Sequence, residues 1–323
     1  MAETTTSTTA TNTCAVRPQI SLVLGGGGAK GFVHLGVFKA IEQQQLSIAS
    51  IIGTSIGAIW GALYANAAAI TFSGRTDAPK MAIETIEQLA YQAQVRDYLD
   101  LYVTSFFRKG LLKGDKFERW LETMLWYHGP GAGRALTFLD LDFDLTVTTS
   151  DAWTGESIIC NRTSTPSLSI AKAVRASMSV QGVFKEIQLD LPEPGGKIRT
   201  VTCWDGGTTG NCRFDIAYRN NVPQPVIASS LTYRGSPVQI RGGWFRRATK
   251  IRDHSINIML RQMESLIVEN LSQPERVLLI HPPLQGLSSA AFSIKNPRKA
   301  AAIEAACVHA KREIEVFRKK LGF

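Results

Sequence analysis

The stretch "LVLGGGGAKGFVHLGV", residues 22–37, has four consecutive glycines between an apolar run and a helical pattern. Glycine inside regular structure is destabilising by roughly 0.5–1 kcal/mol relative to alanine, so this run indicates a close approach of the backbone to another group. Gly26-x-Gly28-x-x-Gly31 between a strand and a helix fits the loop of a dinucleotide-binding fold. That fold needs an acidic residue at the end of the next strand, and residues 43–76 contain no Asp or Glu. We therefore reject the dinucleotide interpretation.

A serine stands where the acidic residue is missing, in "GTSIG", residues 53–57. The G-x-S-x-G spacing between a strand and a helix is typical of a nucleophile elbow, a tight turn that exposes a reactive serine, here Ser55. The glycine loop then has a use without a dinucleotide, because N–H groups at a helix N-terminus can stabilise an oxyanion. The alternatives are a simple tight turn for the glycines and a helix N-cap for Ser55. Both together on successive strands fit less well than a catalytic pair of loops.

Apolar runs and helical periodicities alternate along the chain. The predicted strands are 20–24, 48–52, 143–148, 156–160, 200–204, 226–229 and 277–280. The predicted helices are 29–44, 56–66, 81–95, 116–125, 169–177 and a last helix that starts at Asn296-Pro297, with Asn296 as its cap. This alternation predicts an α/β sandwich with a mostly parallel central sheet.

Residues 43–74 carry no charge and could be taken for a membrane span. Polar side chains interrupt the run, among them Ser50, Thr54 and Asn66, and no second segment of this kind occurs. We therefore expect a buried strand followed by a buried helix, and no transmembrane helix.

Composition limits the class of protein. The 323 residues have a formal net charge of +9, which favours an anionic partner, but no nucleic-acid-binding motif is present. The five scattered cysteines fit neither a disulfide framework nor a zinc site, and they indicate a reducing compartment. Residues 1–19 are Thr-rich without an apolar signal segment, so we expect a disordered tail and a cytoplasmic protein.

A carboxylate that could act on the serine occurs in "VTCWDGGTTGN", residues 201–211, where Asp205 ends an apolar strand. An α/β-hydrolase triad does not fit, because only one strand and one helix precede Ser55. His281, which follows the strand "RVLLI", is the one credible histidine for a triad. On the residues alone both stay open as the base, although the Pro282-Pro283 that follows His281 indicates a histidine that only closes a strand.

Three motifs in this order, "GGGGAKG", "GTSIG" and "DGG", resemble those of the patatin-like phospholipase family. "TTSDAWTGE" and "AVRASMSVQGVF" are also similar to family segments. The resemblance implies a three-layer α/β/α sandwich and lipid acyl hydrolysis by a Ser55–Asp205 dyad, without a metal or cofactor. It implies an oxyanion loop and motif positions at Gly26, Gly27, Gly28, Lys30, Gly31, Gly53, Gly57, Gly206 and Gly207.

The chain departs from the family pattern at three places: Lys30 replaces a commoner Arg, Gln181 replaces a proline, and residues 211–215 lack a proline. We expect one domain over residues 20–323, with a motif-bearing core at 20–225 completed by 226–323. The alternatives are an acyltransferase or thioesterase with the same dyad, a ligand-gated membrane-degrading effector, and an inactive lipid-binding module.

A basic and aromatic segment, residues 233–252, suits an anionic membrane surface, where each basic charge contributes about 1 kcal/mol. The candidate contacts are Arg241, Trp244, Phe245, Arg246 and Arg247. The alternative is a solvated loop whose Trp packs on the domain. We expect peripheral association with a membrane that carries the phospholipid or other acyl-ester substrate.

Overall fold

A computed structural model describes most of the chain. The described residues are 17–92, 112–126, 134–219, 224–233, 244–289 and 294–323, without the side chains of 244–253. Residues 1–16 of the expected tail lie outside them. Arg17 and Gln19, which the sequence places in the tail, belong to the fold: Gln19 begins the first strand, and the Arg17 guanidinium lies 2.7 Å from the Glu42 carboxylate.

The described residues form eight strands and eight α-helices. The strands are β1 (Gln19–Leu24), β2 (Ser47–Thr54), β3 (Asp144–Asp151), β4 (Ser157–Cys160), β5 (Ile187–Pro192), β6 (Ile198–Asp205), β7 (Val226–Ser229) and β8 (Val277–Ile280). The helices are α1 (Val33–Gln43), α2 (Ile56–Asn66), α3 (Ala78–Gln92), α4 (Asp115–Trp126), α5 (Ile170–Ser177), α6 (Phe214–Arg219), α7 (Trp244–Glu269) and α8 (Asn296–Leu321). The sequence patterns did not predict β5, α6 or α7.

The strands form one mixed sheet. Five of them, in the order β3-β2-β1-β7-β8, are parallel. The other three pair antiparallel, β4 and β6 with β3 and β5 with β6. The expected parallel sheet is therefore present as a five-stranded core with an antiparallel extension at β3.

Strand β3 carries two partners along the same side. Thr148 pairs with Thr54 of β2 and with a residue of β4, and the next residue, Thr149, pairs with Asp205 of β6 and again with β4. Since β4 occupies one side of β3 at both positions, β2 and β6 share the other side. They run toward each other and meet at their carboxyl ends. Residues that follow β2 and residues that end β6 are therefore neighbours.

Helices cover both faces of the sheet. In β1 the alternate residues Ile20, Leu22 and Leu24 belong to the larger core, together with residues from α1, α2, α5 and α8. Val23 points to the opposite face and joins a smaller core formed with α6 and the end of α7. This alternation follows from the two-residue period of a strand. The fold is thus the expected three-layer α/β/α sandwich.

The uncharged run at residues 43–74 is mostly buried in the domain, with exposed residues at both ends. It forms β2, α2 and a π-helical turn, and none of the helices in the described ranges is long and apolar enough to cross a bilayer. One cap prediction was wrong. Helix α8 begins at Asn296, as predicted, but its N-cap residue is Lys295, which makes no side-chain capping hydrogen bond, so Asn296 already lies inside the helix.

Candidate active site

Ser55 lies in the turn between β2 and α2, in a backbone conformation that residues with side chains rarely adopt. Its φ is 53° and its ψ is −121°. A Cβ on Gly57 would lie 2.2 Å from the carbonyl oxygen of Leu24, and one on Gly53 would lie 2.5 Å from the Cα of Ala58. Contacts this short exclude any side chain at either position. The turn therefore requires a glycine on both sides of the serine, as the G-x-S-x-G spacing predicts.

A buried serine at the end of α5 fixes the backbone of the turn. The N–H of Ser55 donates to Oγ of Ser177 at 2.7 Å, and this hydroxyl donates to the carbonyl of Thr148 at 2.6 Å. The Thr148 hydroxyl is also 2.8 Å from the Thr54 hydroxyl. Ser177 belongs to the "AVRASMSVQGVF" segment, but nothing in the sequence showed its partner. It ties the nucleophile turn to β3.

Asp205 ends β6 and brings its carboxyl group to the same place. Its side chain is buried, with 7% of the residue exposed, and Oδ1 accepts a hydrogen bond from the N–H of Gly207 at 2.7 Å. Oδ2 is buried and has no hydrogen-bond partner within the described residues. One oxygen of the carboxyl group is therefore held by the backbone, and the other is available.

The environment of Asp205 changes its acidity. Burial raises the pKa of the carboxyl to about 6, and the nearby Ser55 hydroxyl and Gly207 N–H lower it by less. The hydroxyl is thus close enough to affect the carboxyl without a hydrogen bond of standard geometry to Oδ2. Catalytic hydrogen bonds are often loose before substrate binds. With a pKa near 6, the carboxylate is ionised at neutral pH and is a stronger base than a free aspartate.

The glycine loop passes directly beside the nucleophile. A Cβ on Gly26 would lie 3.1 Å from the Cβ of Ser55. A Cβ on Gly31 would lie 2.2 Å from Cγ1 of Ile56, the residue after the serine. The loop and the elbow therefore face each other at the carboxyl edge of the sheet, as expected for loops that follow neighbouring parallel strands.

The N–H groups of the loop fall into two pairs. That of Gly25 donates to a β7 carbonyl at 3.0 Å, and that of Gly26 donates to the carbonyl of Asn211 at 3.1 Å. Those of Gly27 and Gly28 make no hydrogen bond to the described residues. Gly28 is exposed and has a φ of +57°, which suits glycine. Since the expected donor Gly26 is already used, Gly27 and Gly28 are the pair open to a ligand.

Two side chains hold backbone carbonyls of the loop. Nδ2 of Asn211 donates to the carbonyl of Gly26 at 3.0 Å. Nε2 of the fully buried His34 donates to the carbonyl of Gly25 at 2.8 Å, and its Nδ1 accepts from the Ser229 hydroxyl at 2.8 Å. This tautomer follows because a carbonyl can only accept. Burial lowers the pKa of His34 to about 4, so the ring is neutral at physiological pH.

The remaining motif positions serve the packing of these loops. A Cβ on Gly206 would lie 2.3 Å from the carbonyl oxygen of Thr148, and one on Gly207 would lie 2.9 Å from Oδ1 of Asp205. Lys30 lies in the 3-10 turn before α1, where its N–H is 3.3 Å from a loop carbonyl. The glycines of "DGG" thus let the Asp205 loop approach β3.

His281 lies in a different part of the molecule. It follows β8, and Nδ1 is 3.2 Å from the hydroxyl of Thr232, which also donates to the buried Glu264 at 3.0 Å. Strand β8 is three strands from β2 in the sheet, which at about 4.8 Å per strand is roughly 14 Å. The structure therefore brings Ser55 and Asp205 together and places His281 in another polar cluster.

The last two points concern the predicted membrane contacts and metal binding. Arg241 lies outside the described residues, and 244–247 form the first turn of α7 without described side chains, so the membrane contacts stay a prediction. Among the residues that the structure describes, no group of three or more His, Cys, Asp or Glu side chains could hold a metal ion.

A sequence profile of the family described as "Patatin-like phospholipase" matches residues 22–218, which contain the glycine loop, Ser55 and Asp205. The chain belongs to the patatin-like phospholipase family. Among solved structures, VipD from Legionella pneumophila aligns with a TM-score of 0.59 at 14% identity, over 93% of this chain and 67% of that chain. This likeness supports the patatin-like fold.

Curated relatives match shorter parts of the chain. An NTE family protein of Mycobacterium tuberculosis is 28% identical over 173 residues, which is 54% of this chain and 41% of that protein. "Lysophospholipase NTE1" of Coccidioides immitis is 50% identical over 64 residues, 17% of this chain and 4% of that protein. The patatin-like chain thus spans less than half the length of these relatives.

Proposed function

We infer that this protein is a lipid acyl hydrolase that cleaves carboxylic esters with Ser55 as nucleophile and Asp205 as base. One observation carries the proposal. The carboxyl group of Asp205, with a buried and unpartnered Oδ2, lies beside the Ser55 hydroxyl on a strained turn. The family membership and the lysophospholipase name of one relative support an ester of a membrane lipid as the substrate.

The reaction follows from the positions of the groups. The Ser55 hydroxyl attacks the ester carbonyl as its proton passes to Oδ2 of Asp205. When the tetrahedral intermediate collapses, the ester C–O bond breaks and the leaving alcohol takes that proton. Water then attacks the acyl-serine and gives one proton to Asp205. The bond between the acyl carbon and Ser55 Oγ breaks, and Oγ takes that proton from Asp205, which releases the fatty acid and restores the serine hydroxyl and the carboxylate. Both half-reactions use the same carboxylate, so no histidine is required.

The glycine loop supplies the stabilisation of negative charge. The N–H groups of Gly27 and Gly28 make no hydrogen bond to the described residues, and Gly26 positions the loop against Ser55. In comparable sites one donor of this kind is worth about 10²–10³ in turnover. We therefore assign the donor role to Gly27 and Gly28, and a spacing role to Gly26.

The proposal is tested with vesicles of mixed phospholipids and lysophospholipids, with released fatty acids identified by mass spectrometry. We expect Ser55→Ala and Asp205→Asn each to lower turnover by about 10³-fold or more, as losses of a nucleophile or a base do. His281→Gln is the matched control, since it changes a titratable side chain about 14 Å from β2. It should keep most of the activity.

Circular dichroism shows whether each variant is folded. A folded His281→Gln protein as inactive as Ser55→Ala would contradict the dyad. If the wild-type protein releases no fatty acid from any of these lipids and does not cleave a soluble short-chain ester, the proposed hydrolase function is wrong.

A further inference from the structure

Trp153 is the most exposed large apolar side chain among the described residues, with 85% of its surface in contact with solvent. It lies in the turn between β3 and β4. This turn is ordered, because Oδ1 of Asp151 accepts hydrogen bonds from the N–H groups of Trp153 at 2.8 Å and of Thr154 at 3.2 Å. The fold therefore holds a large aromatic ring in water.

A second exposed apolar side chain lies on the hairpin that neighbours this turn. Ile198 begins β6, at the tip of the hairpin that β6 forms with β5, and 72% of it is exposed. The two tips are joined, since the Arg199 guanidinium lies 3.3 Å from Oδ2 of Asp151 and the N–H of Ala152 donates to the carbonyl of Thr202 at 2.9 Å. Trp153 and Ile198 thus belong to one rigid projection.

This projection rises from the edge of the sheet at which the nucleophile lies. Strand β3 continues three residues, or about 10 Å, beyond Thr148, the residue that pairs with the last residue of β2, and Trp153 lies in the turn that follows. Ile198 is seven residues before Asp205, or about 23 Å. The two tips therefore extend past the Ser55–Asp205 pair on its open side.

Helix α7 runs past the same edge on the other side of the site. Asn257 makes hydrogen bonds of 2.8 and 3.0 Å to the backbone N–H and carbonyl of Tyr233, four residues beyond the end of β7. Glu264, two turns later in the helix, binds Thr232. The helix residues before Asn257 thus continue outward from the sheet. In the sequence, this part of the helix contains Arg246, Arg247, Lys250 and Arg252.

We propose that this edge is the docking surface for an anionic lipid bilayer, with Trp153 and Ile198 as the apolar anchors. The inference rests on the proposed function, because hydrolysis of a lipid within a bilayer needs the bilayer at the edge of the sheet where Ser55 lies. Trp is suited to the membrane interface, where its ring is buried and its N–H stays hydrated. The formal net charge of +9 suits anionic headgroups, to which each basic residue near the surface contributes about 1 kcal/mol.

The size of the projection favours a bilayer over a protein partner. Stable protein interfaces bury at least about 1,000 Å² in total, which needs a broad surface. Two hairpin tips with one large side chain each offer much less than this. A narrow projection of this kind can insert among the lipid molecules of a bilayer. The anchors also differ from the segment 241–247, so the two can be tested separately.

The test measures sedimentation with vesicles of phosphatidylcholine and phosphatidylglycerol, using the Ser55→Ala protein so that no lipid is consumed. Adding Trp153→Ala and Ile198→Ser should weaken binding by about tenfold or more, the equivalent of one buried large apolar side chain. Trp153→Phe should keep most of it. The matched control is Leu139→Ala with Val316→Ser, two exposed apolar residues near the opposite edge.

Activity and association provide independent readouts. With Ser55 intact, the Trp153→Ala, Ile198→Ser protein should hydrolyse a soluble short-chain ester at the wild-type rate and vesicle lipids more slowly. Unchanged vesicle binding by this variant, or an equal loss in the control, would overturn the proposal. So would equal binding to vesicles of pure phosphatidylcholine, or a wild-type dimer that dissociates in the variant. Anchor-dependent binding without fatty acid release would contradict only the proposal that the protein is a lipid acyl hydrolase, and would leave the docking surface standing.

Discussion

At the scale of single residues, Asn211 links the loop that follows Asp205 to the glycine loop. It uses its backbone carbonyl and its side-chain amide to hold both polar groups of Gly26, at 3.1 and 3.0 Å. Asn211 also follows Asp205 by six residues in the same loop. Asn211 therefore ties the loop of Asp205, the proposed base, to the glycine loop. Displacement of about 1 Å in such groups can cost 10²-fold in rate.

We expect Asn211→Ala to lower kcat by about tenfold to a hundredfold and to leave KM within a factor of about three, because the loop stabilises the transition state more than the bound substrate. Steady-state kinetics on a short-chain ester measure both. Asn161→Ala is the matched control, since Asn161 also makes two backbone hydrogen bonds, at 2.8 and 3.0 Å, in a turn after β4. If the two variants lose equal stability and equal kcat, Asn211 has only a structural role.

The residues proposed to react were easier to predict from the sequence than the residues that support them. Ser55 and Asp205 lie in short motifs whose spacing reflects local backbone geometry. Ser177, Asn211 and His34 act through contacts with residues 122, 185 and 195 positions away. No local pattern encodes such contacts. The state of the Gly26 N–H also could not be predicted, because its partner lies in the distant Asp205 loop.

At the scale of elements, β3 explains why two motifs separated in sequence meet. Strand β2 ends opposite Thr148, and β6 ends opposite Thr149 on the same side of β3. The apolar runs predicted seven of the eight strands. They did not predict β5, whose residues alternate between buried and exposed, or α7, whose buried face includes the polar Asn257 and Glu264. Tertiary hydrogen bonds from polar side chains help to hold α7 in place, and an apolar periodicity in the sequence does not mark such bonds.

The contact between α1 and α8 depends on a glycine that brings the helices close together. A Cβ on Gly36 would lie 2.3 Å from the carbonyl oxygen of Ile303 and 2.7 Å from the Cβ of Ala306. Gly36→Ala should therefore lower the free energy of unfolding by about 2–3 kcal/mol, because overpacking forces the helices apart. Urea unfolding followed by circular dichroism measures it.

The control for this prediction is Gly155→Ala. Gly155 has a φ of +72° with no atom within 4 Å of an added Cβ, so only backbone strain of about 1 kcal/mol is expected. If Gly36→Ala costs no more than Gly155→Ala, the helices can separate without loss, and the glycine is not what sets their distance.

At the scale of the whole molecule, two buried titratable groups of the site act on stability in opposite directions. Asp205 has its pKa raised from 3.8 to about 6, so its contribution to stability is present below pH 3.8 and is lost as the pH rises through 6. His34 has its pKa lowered from 6.5 to about 4, so its contribution is present above pH 6.5 and is lost as the pH falls through 4. Between pH 4 and 6, the free energy of unfolding falls with pH because of Asp205 and rises with pH because of His34, so the two effects nearly cancel.

Single substitutions should reveal how each group changes the free energy of unfolding with pH. Each group contributes about 1.4 kcal/mol per pH unit over its window. Relative to wild type, Asp205→Asn should gain about 3 kcal/mol in the free energy of unfolding as the pH rises from 4 to 7, because the variant no longer buries an ionised carboxylate. His34→Gln should gain about 3 kcal/mol as the pH falls from 6.5 to 4. Urea unfolding at a series of pH values measures both differences.

The stability cost of ionising Asp205 and its basicity have the same origin, which is the burial of the carboxylate. A variant that loses esterase activity should therefore be the more stable protein at neutral pH. Asp142→Asn is the control, since 96% of the Asp142 side chain is exposed, and it should change stability by less than about 0.5 kcal/mol at any pH. If Asp205→Asn shows the same flat profile as Asp142→Asn, Asp205 is not held as a strained base, and the source of its reactivity must be sought elsewhere in the site.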